Sequence, residues 1–242
     1  MLSGPPVTTT LSADQLIERF VSSAPRQRRS LLPQVLKRSS ECRPLIADQI
    51  DRWDATGDDW ACGTLIQLLV SEKDALSQAF WSRYSEGWLA VTSGQGPNYT
   101  PLQLALIRQD FEEADRLTSE HLRELAGPAA EKRGYVYYSE VPPMASVDLE
   151  SLDRLWVTFS QARFGFSVQL RLLRSLGNRW EQLWPRIGWK QAGLWTRYPK
   201  AFTWSLEAPE GHMPLVNQLR GVRLSQLLWL NHLVTCEDPG AT

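Results

Sequence analysis

The sequence predicts an all-α protein. Apolar residues recur at the helical spacing of three and four positions along most of the chain, and no convincing alternating strand is present. Capping residues, prolines and glycines mark where many of these stretches begin and end. The chain has 242 residues, of which 43% are hydrophobic and 22% charged. It is therefore long enough for one large or two small domains without a stabilising metal or disulfide.

The amino-terminal part of the chain contains five short amphipathic stretches. They cover about 13–22, 26–38, 43–52, 60–70 and 73–86. Ala24-Pro25, Arg43-Pro44 and Thr56-Gly57 separate them. Five helices of similar length are typical of a helical bundle or a HEAT-like stack, and no residue-level repeat establishes the stack. We expect an amino-terminal helical domain over residues 1–91.

A segment rich in helix breakers follows, and it indicates a linker over residues 92–98. Thr92-Ser93-Gly94-Gln95-Gly96-Pro97-Asn98 lies where the charge balance of the chain begins to change. Its two glycines match no nucleotide-binding fingerprint, which needs a third glycine and a preceding strand. The sequence thus predicts a second domain over residues 99–232 and a flexible tail over 233–242.

Helix starts in the second domain are marked by capping signals. The predicted N-caps and capping boxes are 100–103, 110–113, Asp148, Ser167 and 178–181. The helix that begins near Asp110 is expected to end at Gly127-Pro128. The helical spacing of apolar residues is absent between Ile187 and Pro214, where the chain is rich in aromatic residues, glycine and proline and is predicted to form a loop. Loops of this length in a compact domain are usually functional, and a last helix is predicted at about 215–230.

The sequence contains no sign of an active site. Its three histidines are His121, His212 and His232. None lies in a nucleophile motif or at metal-ligand spacing. His121 is expected on a helix surface, and His212 is expected to stabilise its loop rather than bind a metal axially. We predict a protein that is not an enzyme and holds no metal through its own side chains.

Cysteine usage and the chain start indicate a cytoplasmic protein. Cys42, Cys62 and Cys236 are far apart and match no disulfide or metal pattern, which points to a reducing compartment. The first ten residues lack both a basic and an apolar region of a signal peptide, and the longest apolar run is too short to span a bilayer. Peripheral membrane contact stays open.

The net charge of −1 conceals a basic block. Residues 154–223 carry 11 basic and 3 acidic side chains, a net charge of +8. The same block holds six of the eleven tryptophans. Such a block favours a local anion-binding surface on an otherwise near-neutral protein.

The predicted last helix and the loop before it suggest the ligand. Asn217, Arg220 and Arg223 share one helix side, and the loop carries Trp195, Arg197, Tyr198, Phe202 and Trp204. Arginine pairs with carboxylates while ring faces pack a flat aromatic molecule. Equally, the arginines could solvate a helix whose underside the aromatics pack. Two further alternatives are single-stranded nucleic-acid binding, by base stacking beside arginine, and a helical adaptor without ligand.

Several ordered motifs resemble the GUN4 family of tetrapyrrole-binding proteins. They are Phe164-Gly165-Phe166-Ser167-Val168-Gln169, Ile187-Gly188-Trp189, Ala208-Pro209-Glu210-Gly211-His212-Met213-Pro214 and Asn217-Gln218-Leu219-Arg220-Gly221-Val222-Arg223. The resemblance covers about residues 99–230. The preceding helices are similar to the amino-terminal extension of cyanobacterial members. Two departures from the family pattern are Tyr198, where tryptophan is frequent, and Met144-Ala145, where a Phe-Pro pair is common.

The resemblance implies an all-helical core whose concave surface binds protoporphyrin IX and Mg-protoporphyrin IX. Family members stimulate magnesium chelatase in chlorophyll biosynthesis, with its large porphyrin-binding subunit as partner, and are not themselves catalysts. Arg197, Phe164 and Met213 are predicted porphyrin-binding residues. By position, the resemblance implies the same role for Asn217, Arg220, Arg223, Trp195, Tyr198 and Phe202. Of these, Trp195, Tyr198 and Phe202 match a mobile flap. The resulting expectation is a monomeric, cytoplasmic regulator from a photosynthetic prokaryote, partly membrane-associated and without a nucleic-acid partner.

Overall fold

The computed structural model describes residues 11–215, which form helices joined by loops and one small hairpin. The helices are α1 (Ala13–Ser22), α2 (Pro25–Lys37), α3 (Ser39–Gln49), α4 (Trp60–Leu69), α5 (Ala75–Arg83), α6 (Thr100–Ile107), α7 (Phe111–Ala126), α8 (Pro128–Arg133), α9 (Ser146–Phe159), α10 (Phe166–Ser175) and α11 (Trp180–Arg186). Strands β1 (Lys190–Gln191) and β2 (Leu194–Trp195) pair antiparallel. The all-α prediction is confirmed, with the hairpin as an addition within the irregular loop.

The amino-terminal helices form a small bundle. A reciprocal capping box starts α1, because the Ser12 hydroxyl accepts from the Gln15 N–H at 3.2 Å and the Gln15 side chain accepts from the Ser12 N–H. One face of α1 is fully buried and contacts α2, α3 and α4. The five predicted stretches are confirmed, each shifted by no more than a few residues at its ends. The break predicted at Arg43-Pro44 is wrong, because α3 begins at Ser39 and contains both residues.

Helix α4 connects the bundle to the rest of the protein. All ten of its residues are buried, and it packs between α3 and α9. Gly63 allows the close approach, since a Cβ there would lie 2.1 Å from the carbonyl oxygen of Thr158. The Gln67 amide donates to the carbonyls of Leu106 and Phe159, where α6 and α9 end. The bundle and the later helices therefore share one continuous hydrophobic core.

Asp148 organises the segment predicted as a linker. Its carboxylate accepts hydrogen bonds from the Ser93 hydroxyl at 2.6 Å, the Gly94 and Gln95 N–H groups and the Tyr99 hydroxyl. The prediction that Asp148 is an N-cap is wrong, because α9 begins at Ser146 and Asp148 lies in its first turn. The carboxylate bonds to the segment 93–99 instead of to the backbone at the start of its own helix.

The capping boxes predicted at 100–103 and 178–181 are also wrong. Gln103 turns inward and makes two hydrogen bonds to the Leu89 backbone instead of reaching back to the start of α6. Asn178 has a left-handed φ of 59° and donates its N–H to Leu173, so it ends α10 rather than starting α11. In contrast, the predicted cap at Asp110 is confirmed, since its side chain accepts from the Glu113 N–H.

Two residues expected at exposed or capping positions are held by tertiary contacts. Ser167 lies within the first turn of α10, where its N–H donates to the Asp153 carboxylate at 2.9 Å. His121 is only 7% exposed and packs edge-on against Tyr99 at 5.0 Å. The surface position predicted for His121 is wrong, because α7 is covered on that side by the residues that follow the linker.

Several predictions concern residues outside 11–215. They are the last helix at about 215–230, of which only residue 215 is described, the tail at 233–242, His232 and Cys236. The division into domains at 1–91, 92–98 and 99–232 stays a prediction. Between residues 11 and 215, no helix is long and apolar enough to cross a bilayer.

Candidate functional site

A ladder of tryptophans supports the hairpin that follows α11. Trp184 lies against Trp180, Trp189 and Trp195, with ring centroids 5.3–5.6 Å apart. The Trp184 and Trp189 rings are nearly parallel, at 6°, and both are buried. The ladder ends at Trp195, which is 38% exposed. A buried aromatic stack thus holds an exposed aromatic ring at the surface.

His212 closes the base of the irregular loop. Its Nδ1 lies 2.7 Å from the Ile187 carbonyl oxygen, which can only accept, so Nδ1 carries the proton and donates. Nε2 then accepts from the Thr203 N–H at 3.3 Å. Burial lowers the pKa of His212, which favours this neutral ring. With both nitrogens engaged, His212 stabilises the loop and has no lone pair directed at a metal.

The end of the loop is tied to α10 and the turn before it. The fully buried Gln169 amide donates to the carbonyls of Gly211 and Pro214 at 3.0 and 2.9 Å. Met213 accepts from the Gly165 N–H, and the Arg163 guanidinium donates to the Ala208 carbonyl. These bonds fix residues 208–214, and Phe202 and Thr203 are held against His212. The hairpin and Tyr198, in contrast, are exposed.

The hairpin and the residues just after it expose apolar side chains. Six large hydrophobic side chains are exposed among residues 11–215, and three of them, Leu194, Trp195 and Tyr198, lie within five positions. Arg197 and Lys200 are exposed beside them. Clustered exposed aromatics on a supported hairpin are typical of a binding surface, since monomeric proteins rarely leave such patches uncovered. We call residues 190–204 the aromatic flap.

The predicted porphyrin-binding residues fall into three groups. Trp195, Arg197 and Tyr198 are exposed on the aromatic flap. Phe202, Phe164 and Met213 are buried, and Phe202 stacks on Trp204 at 5.5 Å. Phe164 packs within the core against Phe111 and Trp156. Asn217, Arg220 and Arg223 lie outside the described residues. The ligand contacts assigned to all nine residues stay predictions.

Sequence reasoning did not single out Asp115, which is buried where the flap meets α7. Its Oδ1 accepts from the Leu215 N–H at 2.6 Å, and the carboxyl also interacts with the Tyr198 phenol. Burial raises the pKa of Asp115 to about 7, and burial together with the Asp115 charge raises the pKa of Tyr198 to about 12. A signal was available, because Asp115 falls on the apolar stripe of α7 between Phe111 and Thr118.

No group of three or more His, Cys, Asp or Glu side chains that could hold a metal ion occurs in the described part of the chain. Chemically, the flap instead provides ring faces, a guanidinium and an ammonium at the surface. This combination suits a flat apolar molecule that carries anionic groups at its edge.

Comparison with known proteins gives a consistent result. Residues 92–232 match the GUN4 family, described as GUN4-like. The Ycf53-like protein of Synechocystis sp. is 46% identical over 170 residues, which are 70% of this chain and 73% of that protein. A protein of Arabidopsis thaliana named tetrapyrrole-binding protein, chloroplastic, is 34% identical over 148 residues, 57% of this chain and 56% of its own.

Solved structures agree with this match. GUN4 from Chlamydomonas reinhardtii superposes with a TM-score of 0.54 at 35% identity and covers 58% of this chain and 90% of its own. The ligand-free structure of Arabidopsis thaliana GUN4 gives a TM-score of 0.50 at 34% identity, over 57% of this chain and 95% of its own. The family match spans more than half of the chain and includes the tryptophan ladder, the aromatic flap and its fixed base. This chain belongs to the GUN4 family.

Proposed function

We propose that this protein binds a tetrapyrrole on the aromatic flap and acts as a regulator rather than a catalyst. The observation that carries the proposal is the cluster of Leu194, Trp195 and Tyr198, exposed on a rigid aromatic support within the family match. Most of the affinity would come from removing the macrocycle faces from water. The name of the Arabidopsis relative, tetrapyrrole-binding protein, supports this ligand class.

We infer that the ligands are protoporphyrin IX and Mg-protoporphyrin IX. Both carry two propionates, which suit the arginines predicted at 220 and 223 and Arg197 on the flap. Phe164 and Met213, which are buried, would shape the pocket wall from behind, while Phe202 would support the Tyr198 ring at 5.8 Å. His212 would bind no magnesium, since both of its ring nitrogens are occupied.

We further propose that the loaded protein stimulates magnesium chelatase by contacting its large porphyrin-binding subunit. It would do so as a monomer in the cytoplasm of a photosynthetic prokaryote, with part of the protein at a membrane surface. The rate of magnesium insertion by purified chelatase subunits, measured with and without this protein, tests the proposal. An unchanged rate at saturating protein would refute the stimulation while leaving porphyrin binding intact.

Porphyrin binding is tested by titrating the protein with deuteroporphyrin IX and following the Soret band. We expect Trp195→Ala to weaken binding about tenfold, because it removes the exposed ring of the ladder. Leu36→Ala is the matched control, since Leu36 is exposed to a similar extent, at 46%, on helix α2 far along the chain from the flap. Equal affinity of both variants would contradict the flap as the binding surface.

The propionate contact is tested by Arg220→Ala combined with Arg223→Ala. The double variant should bind deuteroporphyrin IX more weakly while its helical circular dichroism is unchanged. Titration with an oligonucleotide at two salt concentrations tests the alternative ligand, because phosphate binding weakens steeply with salt. Absence of any Soret change in the wild-type protein would favour the adaptor instead.

A further inference from the structure

Asp115 occupies a position that packing alone does not explain. It lies on α7 and is 1% exposed, yet its side chain is a carboxyl group rather than an apolar one. The Leu215 N–H donates to its Oδ1 at 2.6 Å. Leu215 is two residues before Asn217, the first of the predicted polar contacts to the porphyrin. One end of this carboxyl therefore holds Leu215, the last residue that the structure describes.

The same carboxyl faces the aromatic flap. The Tyr198 phenol interacts with it, and Tyr198 is also in edge-on contact with Phe202 and Trp204 at 5.8 Å. The other oxygen, Oδ2, is buried and accepts no hydrogen bond from any residue that the structure describes. A single buried carboxyl thus lies between the flap and the segment after it, with spare acceptor capacity.

The charges around Asp115 leave it without a compensating cation in residues 11–215. On α7, Glu112 raises the pKa of Asp115, and Arg116 acts on Tyr198 instead. Helix α6, which packs against α7, has no ionisable side chain, and no group of α8 acts on the pair. An asparagine or threonine could accept the Leu215 bond at a lower desolvation cost than a carboxylate. The hydrogen bond to Leu215 therefore does not by itself account for an ionisable side chain at position 115.

We propose that Asp115 is a positioning residue of the porphyrin site, which holds Tyr198 and Leu215 in the ligand-binding arrangement through one carboxylate. The inference rests on the proposed porphyrin binding. An ionised carboxylate accepts a charge-assisted bond from the Leu215 N–H and attracts the nearby Tyr198 hydroxyl, and both interactions are stronger than those of its neutral form. Holding the two parts of the site in place before the ligand arrives raises affinity, because less ordering remains to be done on binding.

The test compares deuteroporphyrin IX affinity at about pH 6 and about pH 8, where Asp115 changes from neutral to ionised. We expect wild-type affinity to be about three- to tenfold higher at the higher pH. Asp115→Asn should remove this difference, leaving only the change that stems from the ligand's own ionisation. Asp153→Asn is the matched control, since Asp153 is also buried and accepts a backbone N–H, in its case that of Ser167 on α10. It should keep the wild-type ratio.

A second variant covers the case in which Asp115→Asn fails to fold. Tyr198→Phe keeps the ring and removes the hydroxyl. Because that hydroxyl lowers the pKa of Asp115, its loss should raise the pKa. It should weaken binding and move the midpoint of the affinity profile to higher pH. Equal pH ratios in the wild type and every variant, or an unmoved midpoint in Tyr198→Phe, would overturn the role of Asp115 alone. No binding by the wild type at either pH would overturn porphyrin binding itself.

Discussion

Gly63 provides the sharpest test of the contact between the amino-terminal bundle and the later helices. In Gly63→Ala the new Cβ would lie 2.1 Å from the Thr158 carbonyl oxygen and 2.7 Å from its carbon. An ordinary contact needs 3.4 Å, so α4 and α9 would have to separate by about 1.3 Å. Both partners are helix backbone, which cannot rotate away as a side chain would. The separation would loosen a helix whose residues are all buried.

Two opposing effects set the magnitude. Alanine is better than glycine inside a helix by about 1 kcal/mol. Overpacking costs about 1–3 kcal/mol, and a clash with rigid backbone belongs at the upper end of that range. We expect a net loss of about 2 kcal/mol, which corresponds to a fall in Tm of about 4–8 °C for a chain of this length.

Thermal unfolding followed by circular dichroism measures this loss. Gly57→Ala is the control, because the nearest atom to its new Cβ would be an Asp54 carboxylate oxygen at 3.7 Å. That variant should stay within about 0.5 kcal/mol of the wild type. If Gly63→Ala melts at or above the wild-type temperature, α4 and α9 are not in the close contact described above, and the reasoning fails.

Three further outcomes are expected. Asp148→Asn should lower the free energy of unfolding in urea by about 2–3 kcal/mol, because a neutral amide replaces a carboxylate that accepts four hydrogen bonds; a change below about 0.5 kcal/mol would contradict this. Trp189→Phe removes the indole N–H that donates to the His212 carbonyl oxygen at 2.8 Å, so it should cost about 1–3 kcal/mol and speed amide exchange at Thr196; unchanged exchange would count against the ladder as the hairpin's support. The pKa of His212 is lowered in the folded protein, so the folded state favours the neutral ring. The stability from this residue should be present above the unfolded value of 6.5 and be lost as pH falls below it; a His212→Asn variant with the same pH slope between about pH 5 and 7 would refute the assignment.

Periodic features of the fold could be predicted from the sequence, whereas contacts between distant residues could not. Helices α1 to α5, the end of α7 and the irregular stretch after α11 follow from local spacing, breakers and caps. The N-cap assignments of Asp148 and Ser167 failed because carboxylates bound backbone groups far away along the chain. Capping rules assume that a polar side chain bonds to the backbone of its own helix. In the folded protein, some of these side chains bond instead to backbone groups of other segments.

The candidate site shows the same division. The aromatic and basic composition of 187–214 indicated a ligand surface, and the family resemblance gave its chemistry. Which rings are exposed depended on the ladder built on Trp184, in which α11, the turn after it and β2 each place a ring against that tryptophan. Asp115 was missed because an acidic residue next to Glu112 and Glu113 reads as part of a solvated helix start.

The complete burial of α4 has a consequence for synthesis of the protein. α4 carries no charged side chain, and its second face is covered by α9, which emerges from the ribosome about ninety residues later. At about 5–20 residues per second, that face waits for roughly 5–20 s without its partner. A nascent chain in this interval presents an uncovered apolar helix, so chaperone capture or aggregation should concentrate on products that stop before residue 146.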